Sequence, residues 1–158
     1  MRRMPQSYRN GELVIVIDCS DLARSARFWA DVLGYVANPA TSTTYRSLIP
    51  GNGQGIEVLL QRTPDDKRQK NRLHLDLRTA NLDQEVSRIL GLGASLLTDQ
   101  PVTEHRWRWH ILADPDGNEF ASCSRQPAAR QRADTTTDQR QKSASSWVLD
   151  VHAAVAAA

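Results

Sequence analysis

Two stretches of this chain carry the same plan sixty residues apart, and an internal repeat constrains a fold more than composition does. The first starts at Leu13, as LVIVIDCSDLARSARFWADVLGY, and the second at Leu73, as LHLDLRTANLDQEVSRILGLGA. This offset sets Asp21-Leu22 over Asn81-Leu82, and Gly34 within one residue of Gly93. The ends of the copies correspond at an offset of 62: Gly55-Ile56-Glu57-Val58-Leu59 lies over Gly117-Asn118-Glu119-Phe120-Ala121. Two copies are too few for a solenoid, whose repeats stack in longer arrays. They predict an α+β protein in which two pseudo-symmetric β-α-β-β-β modules form a curved mixed sheet around a cleft. A ligand in that cleft meets side chains from both copies.

Within each copy, hydrophobic periodicity places the elements. Leu13 to Asp18 is β-branched and apolar, a buried strand. Ser20-Asp21 supplies helix N-cap side chains. Leu22, Ala26, Trp29 and Leu33 recur at helical spacing until Gly34 ends the helix. Thr43 to Ile49 and Ile56 to Gln61 read as strands about the turn Pro50-Gly51-Asn52-Gly53. In the second copy, Leu73, Leu75 and Leu77 alternate with His74, Asp76 and Arg78, two faces of one strand. Leu82, Val86, Ile89 and Leu90 make a helix face closed by Gly91 and Gly93. Strands follow at Ala94 to Leu97, Trp107 to Leu112 and Glu119 to Cys123, the last two joined by Asp114-Pro115-Asp116-Gly117.

The chain therefore divides into an N-terminal arm (1–11), a domain of two repeats (12–125, as 12–62 and 72–125), a polar basic stretch (126–146) expected to be disordered, and an apolar segment (147–158). A net charge of +2 gives no general case for nucleic acid, and aspartates interrupt the basic stretch. No apolar run approaches the ~20 residues of a membrane span. The N-terminus has basic residues but no apolar core, so no secretory signal is expected. Cys19 and Cys123 are too few for a disulfide framework, and a cytoplasmic setting fits. Phosphate loops, nucleophile elbows and zinc-spaced cysteine pairs are absent from the sequence.

Three stretches, SDLARSARFWADVLGY (20–35), KNRLHLDLRTANLD (70–83) and WRWHILADPDGNEF (107–120), resemble the vicinal oxygen chelate superfamily, the glyoxalase and bleomycin-resistance fold. The second and third are similar to its glyoxalase-like domains, and the resemblance covers about residues 12–125. It implies a fold that hosts isomerases, dioxygenases, epimerases, thiol transferases and metal-free drug-binding proteins, so activity must be argued from the site. In metal-using members, four ligands come from the first and last strands of the two copies. By register these positions are Val14, Leu59, His74 and Ala121. Only His74 can bind a metal, and a divalent site needs about three suitable protein ligands. The resemblance thus implies no usual metal centre.

Strand alternation adds a polar cluster. Glu57 shares a face with Leu59, and Glu119 with Ala121, so both glutamates are expected in the cleft. His74 and Asp76 face it from the second copy, Val14 and Val16 from the first. If the 114–117 turn pairs Leu112 with Glu119, His110 enters the cleft as well. Buried polar groups without partners are costly. Such a cluster fits acid–base work by His74, Glu119 and His110, with Glu57, Asp76, Val14, Val16 and Leu59 lining the ligand. No cofactor is expected; the alternative is a displaced divalent metal on His74, Glu57 and Glu119. Trp107 and Trp109 share a strand face and read as core or dimer contacts before a stacking platform.

The favoured function is small-molecule binding of the drug-binding or resistance type. The alternative is a lyase, isomerase or dioxygenase-like enzyme using the same cleft. Expected partners are a small molecule and, as an open alternative, a second copy of the chain, with no membrane and no specific nucleic acid. Pairing of the copies within one chain or by exchange between two is left open.

Overall fold

The computed structural model describes residues 11–40 and 42–127. In the first module, β1 (Val14–Cys19) runs parallel to β4 (Glu57–Arg62), and β3 (Tyr45–Pro50) and β2 (Tyr35–Ala37) extend the sheet antiparallel, in the order β1-β4-β3-β2. In the second, β5 (Asp76–Thr79) runs parallel to β9 (Glu119–Arg125), followed by β8 (Trp107–Ala113), which carries both β6 (Ser95–Leu96) and β7 (Val102–Glu104). Helices α1 (Leu22–Leu33) and α2 (Leu82–Gly91) follow the first strand of each module.

The ladders reproduce the repeat residue by residue. Val16 pairs with Leu59 in the first module, and Asp76 with Ala121 in the second. The sequence offsets of 60 and 62 therefore connect like positions. The helix starts correspond too. Asp21 caps α1 by accepting from the N–H groups of Ala23 and Arg24, and Asn81 caps α2 by accepting from Gln84. Gly34 closes α1 in the left-handed region at φ 67°. In α2 the helix includes Gly91 and stops at Leu92, with Gly93 at φ 107° beyond it.

Two features add detail to the expected plan. Hydrogen bonding forms two mixed sheets, of four and five strands, one from each module. Strands β2 and β7, each three residues long, were too short to show a period in the sequence. Parts of the arm, the basic stretch and the whole 147–158 segment lie outside the described residues.

One hydrophobic core joins the modules. Trp29 and Phe28 of α1 meet Phe120 of β9 at ring-centroid distances of 5.1 and 6.2 Å, above Leu48, Leu60 and Leu112. Burying side chains of this size contributes roughly 1.5–3 kcal/mol each. Polar contacts then clamp α1 at both ends. At its start, the Asp116 carboxylate accepts from Ser20, Ser25 and Arg24, and further along the helix Trp29 Nε1 donates to Asp114 over 3.0 Å. At its end, Arg88 of α2 donates to the Asp31 and Val32 carbonyls at 3.0 and 2.9 Å, which the helix itself leaves unpaired. Glu85 holds that guanidinium in place through a bidentate pair. Among the described residues, no helix is long and apolar enough to cross a membrane.

Candidate functional site

Each sheet buries one face under the helices and leaves the other open. In the second module, register fixes what stands on the open face. Moving across β5, β9 and β8, one row reads Arg78, Cys123, Trp109 and the next Asp76, Ala121, Ile111. The middle strand thus carries the two smallest side chains. Flanking strands stand two spacings apart, about 9–10 Å. A small floor between tall walls is a trough, of about 460 Å³. One wall is apolar, made by Trp107, Trp109 and Ile111. The other is polar, made by His74, Asp76 and Arg78, and Glu119 closes one end.

These polar groups are held differently. Arg78 lays its guanidinium over the Trp107 ring, 4.7 Å from the centroid, and no carboxylate among the described residues pairs with it. Glu119 is tied down: Lys67 Nζ donates to it at 2.7 Å and the Asn71 N–H at 2.9 Å. Burial pushes the Glu119 carboxyl up, but Lys67 and the Asn71 amide outweigh it and hold the group below the usual range. Both donors come from the 63–72 connector, so Glu119 anchors that strap and is a weak base. His74 is exposed, with Nε2 3.0 Å from the Asn71 carbonyl. A carbonyl only accepts, so Nε2 carries the proton and Nδ1 keeps the lone pair in the neutral ring. Burial is the main cause raising the Cys123 thiol; Asp76 adds to it and Arg78 opposes it. Both cysteines are free and buried.

The expected single cluster is not assembled. Glu57 lies on the open face of the first module, where Ser47 Oγ donates to it at 2.5 Å. Val14, Leu59 and Glu57 are not among the trough's lining residues. Val16 lines a second depression, of about 310 Å³, along the seam between β1 and residues 71–75, and Glu119 borders both hollows. Leu73 was expected to pack beside Leu75 and Leu77 but is 78% exposed.

His110 is a correction. The 114–118 turn closes with an Asp114–Asn118 bond and a three-residue loop, so Leu112 faces Phe120 and Ala113 faces Glu119. The one-residue slip from the assumed register turns His110 to the helix side. There it is buried, with Nδ1 2.8 Å from Thr98 Oγ1. Trp107, Trp109, Arg78 and Cys123 take its place in the site. Their sequence signal was the pairing of large residues on β8 with small ones on β9, legible only once the hairpin register is known.

The residues do not fit the metal centre of metal-using superfamily members. Val14, Leu59 and Ala121 offer no donor atom. Among the described residues no three of His, Cys, Asp and Glu lie close enough to share an ion. The shifted set of His74, Glu57 and Glu119 is divided, since Glu119 is bound to Lys67 and Glu57 lines neither hollow.

The fold is that of several solved structures. A fosfomycin resistance protein, FosX, from Listeria monocytogenes superposes with a TM-score of 0.60 at 15% identity, over 74% of this chain and 92% of that one. A glyoxalase/bleomycin resistance protein/dioxygenase family enzyme from Burkholderia phytofirmans gives 0.55 at 18% identity, over 70% and 95%. A glyoxalase/bleomycin resistance protein/dioxygenase from Nocardioides gives 0.59 at 13%, over 80% and 90%. One FosX structure holds Mn(II) and a dihydroxypropylphosphonic acid. No curated protein matches the sequence. The family model for glyoxalase-like domains spans residues 14–123, both modules from the first strand to the floor of the trough, and the chain belongs to that family of the vicinal oxygen chelate superfamily.

Proposed function

We propose that this protein binds a small, partly aromatic molecule in the trough of its second module, without the divalent metal of metal-using relatives. One observation carries the reading: a hollow of about 460 Å³ with an indole wall, a polar wall and a floor of Ala121 and Cys123. That volume falls in the range of small-molecule pockets, and an apolar surface with a few convergent polar groups is their usual make-up. Trp109 supplies the stacking surface. His74 and Asp76 supply hydrogen bonds at one end.

The test is a thermal-shift screen with aromatic compounds of ten to twenty heavy atoms. Binding to the folded state alone raises Tm with ligand concentration. Hits in the wild type that are lost in Trp109→Ala support the proposal. A screen without hits, or hits that persist in that variant, overturns it. Elemental analysis accompanies it, and about one metal ion per chain would contradict the metal-free reading.

A second reading is enzymatic. His74 lines the trough with Nε2 engaged by the Asn71 carbonyl and the Nδ1 lone pair of the neutral ring left to a substrate, which suits proton transfer. It predicts that His74→Gln abolishes turnover while leaving binding in place.

A further inference from the structure

We infer that the trough selects an aromatic monoanion, a planar ring bearing one carboxylate, with Arg78 as the residue that reads the charge. This rests on the trough being the binding site and adds the class of ligand. Three observations carry it. First, Arg78, Cys123 and Trp109 form one row, so a group resting on Cys123 has a guanidinium on one side and an indole on the other. Second, the guanidinium is already placed. Its central carbon lies 4.7 Å from the Trp107 centroid and the side chain also hydrogen-bonds Cys123, so the group is held over the floor with further N–H donors left for a ligand, which cuts the ordering cost of binding. Third, the neighbouring charges are arranged for one anion. Glu119 is already neutralised by Lys67 at 2.7 Å. Asp76 makes no ion pair with Arg78 among the described residues, although one step of alternation separates them. Asp76 and Glu104 are the lining's other carboxylates and Lys70 its other cation, so the trough accepts one carboxylate at Arg78 and disfavours a second. A guanidinium takes a carboxylate through two parallel N–H bonds, a geometry that no neutral isostere satisfies.

The experiment is calorimetric titration at pH 7 with four probes of one ring system: 2-naphthoate, 2-naphthamide, naphthalen-2-ylmethylammonium and naphthalene-2,6-dicarboxylate. The expected order places 2-naphthoate at least tenfold tighter than the amide, with the dicarboxylate and the ammonium weaker than 2-naphthoate. In Arg78→Gln the naphthoate should lose its advantage and fall to the affinity of the amide. Arg78→Lys should keep part of the preference, since the charge survives without the fork. An unchanged far-ultraviolet circular dichroism spectrum and urea midpoint show that each variant is folded. If naphthoate, amide and ammonium bind alike, and all are lost in Trp109→Ala, the trough stands as the site and the role of Arg78 is overturned. If the ammonium binds tightest and Asp76→Asn removes that preference, Asp76 reads the charge and the inference is overturned. If no probe binds, both it and the binding site on which it rests fail.

Discussion

Trp29 Nε1 and the Asp114 carboxylate stand 3.0 Å apart, and that bond joins α1 of the first module to the turn before β9 of the second. Both groups are buried. Asp114 also accepts from the Asp116 and Asn118 N–H groups, so it organises the turn while gripping the helix. Trp29→Phe keeps most of the packing and deletes only the donor. A hydrogen bond to a charged group contributes about 1.5–3 kcal/mol. The expected loss in urea denaturation is of that order, with ligand binding in the trough unchanged. A loss below a few tenths of a kcal/mol would show that water replaces the indole.

Asp116 makes stability depend on acid. Burial pushes its carboxyl up, but the Ser20 and Ser25 bonds and the Arg24 charge win, and its pKa lies below the ordinary 3.8. The folded state therefore holds this proton more weakly than the unfolded chain. The stabilisation is fully present above about pH 4 and is lost as pH falls through the lowered value. Asp116→Asn should destabilise the protein at pH 7 and much less at pH 3. Equal losses at both pH values would mean that the charge is irrelevant there.

The Lys67–Glu119 pair should keep the connector closed. Both side chains are mostly buried, at 19% and 16% exposure, so the pair is screened less than a surface one. Glu119→Gln removes the charge that holds Lys67. Proteolysis of a transiently open segment follows the open population. Loss of about 1 kcal/mol should speed tryptic cleavage between Lys67 and Arg72 roughly fivefold. Unchanged cleavage would mean that the Asn71 amide alone holds the strap.

The two cysteines should report on the trough. Burial is the main cause raising both thiols, so few thiolates exist at pH 7 and alkylation is slow. Only Cys123 lines the trough. As pH rises from 7 to 9, iodoacetamide should label Cys123 before Cys19, as peptide mass spectrometry would show. A bound aromatic ligand should protect Cys123 alone. Labelling of Cys19 first would place the access route on the other side of the sheet.

Much of this fold is legible in the sequence because its signals are local. Asp21 and Asn81 are cap residues before apolar periods, and Gly34 is a helix stop, so the offset of 60 is visible before any contact is known. The long strands follow from β-branched or alternating runs. The site was harder for one reason. Its composition depends on the β8–β9 register, and that register is set by the turn. Asp114 binds the N–H groups of Asp116 and Asn118, and Gly117 sits at φ 85°, so three residues form the loop rather than the two that the assumed Leu112–Glu119 pairing requires. One residue of slip exchanged His110 for Trp109 and Ile111 on the open face. Alternation sets Glu119 on the face of Ala121, but its tie to Lys67 links residues 52 apart and leaves no trace in either copy.

The duplicated modules differ in relief. Where β9 carries Ala121 and Cys123 beside Ile111 and Trp109 of β8, β4 carries Leu59 and Gln61 beside Ser47 and Tyr45 of β3. The same scaffold thus makes a furrow in one half and a ridge in the other, by the size of side chains on a single central strand. Neither pair belongs to the shared core cluster, so this sculpting is independent of what holds the chain together. Ala121→Leu with Cys123→Gln should raise the floor of the second half to the profile of the first. The hollow would then be closed to ligands in a protein that still folds.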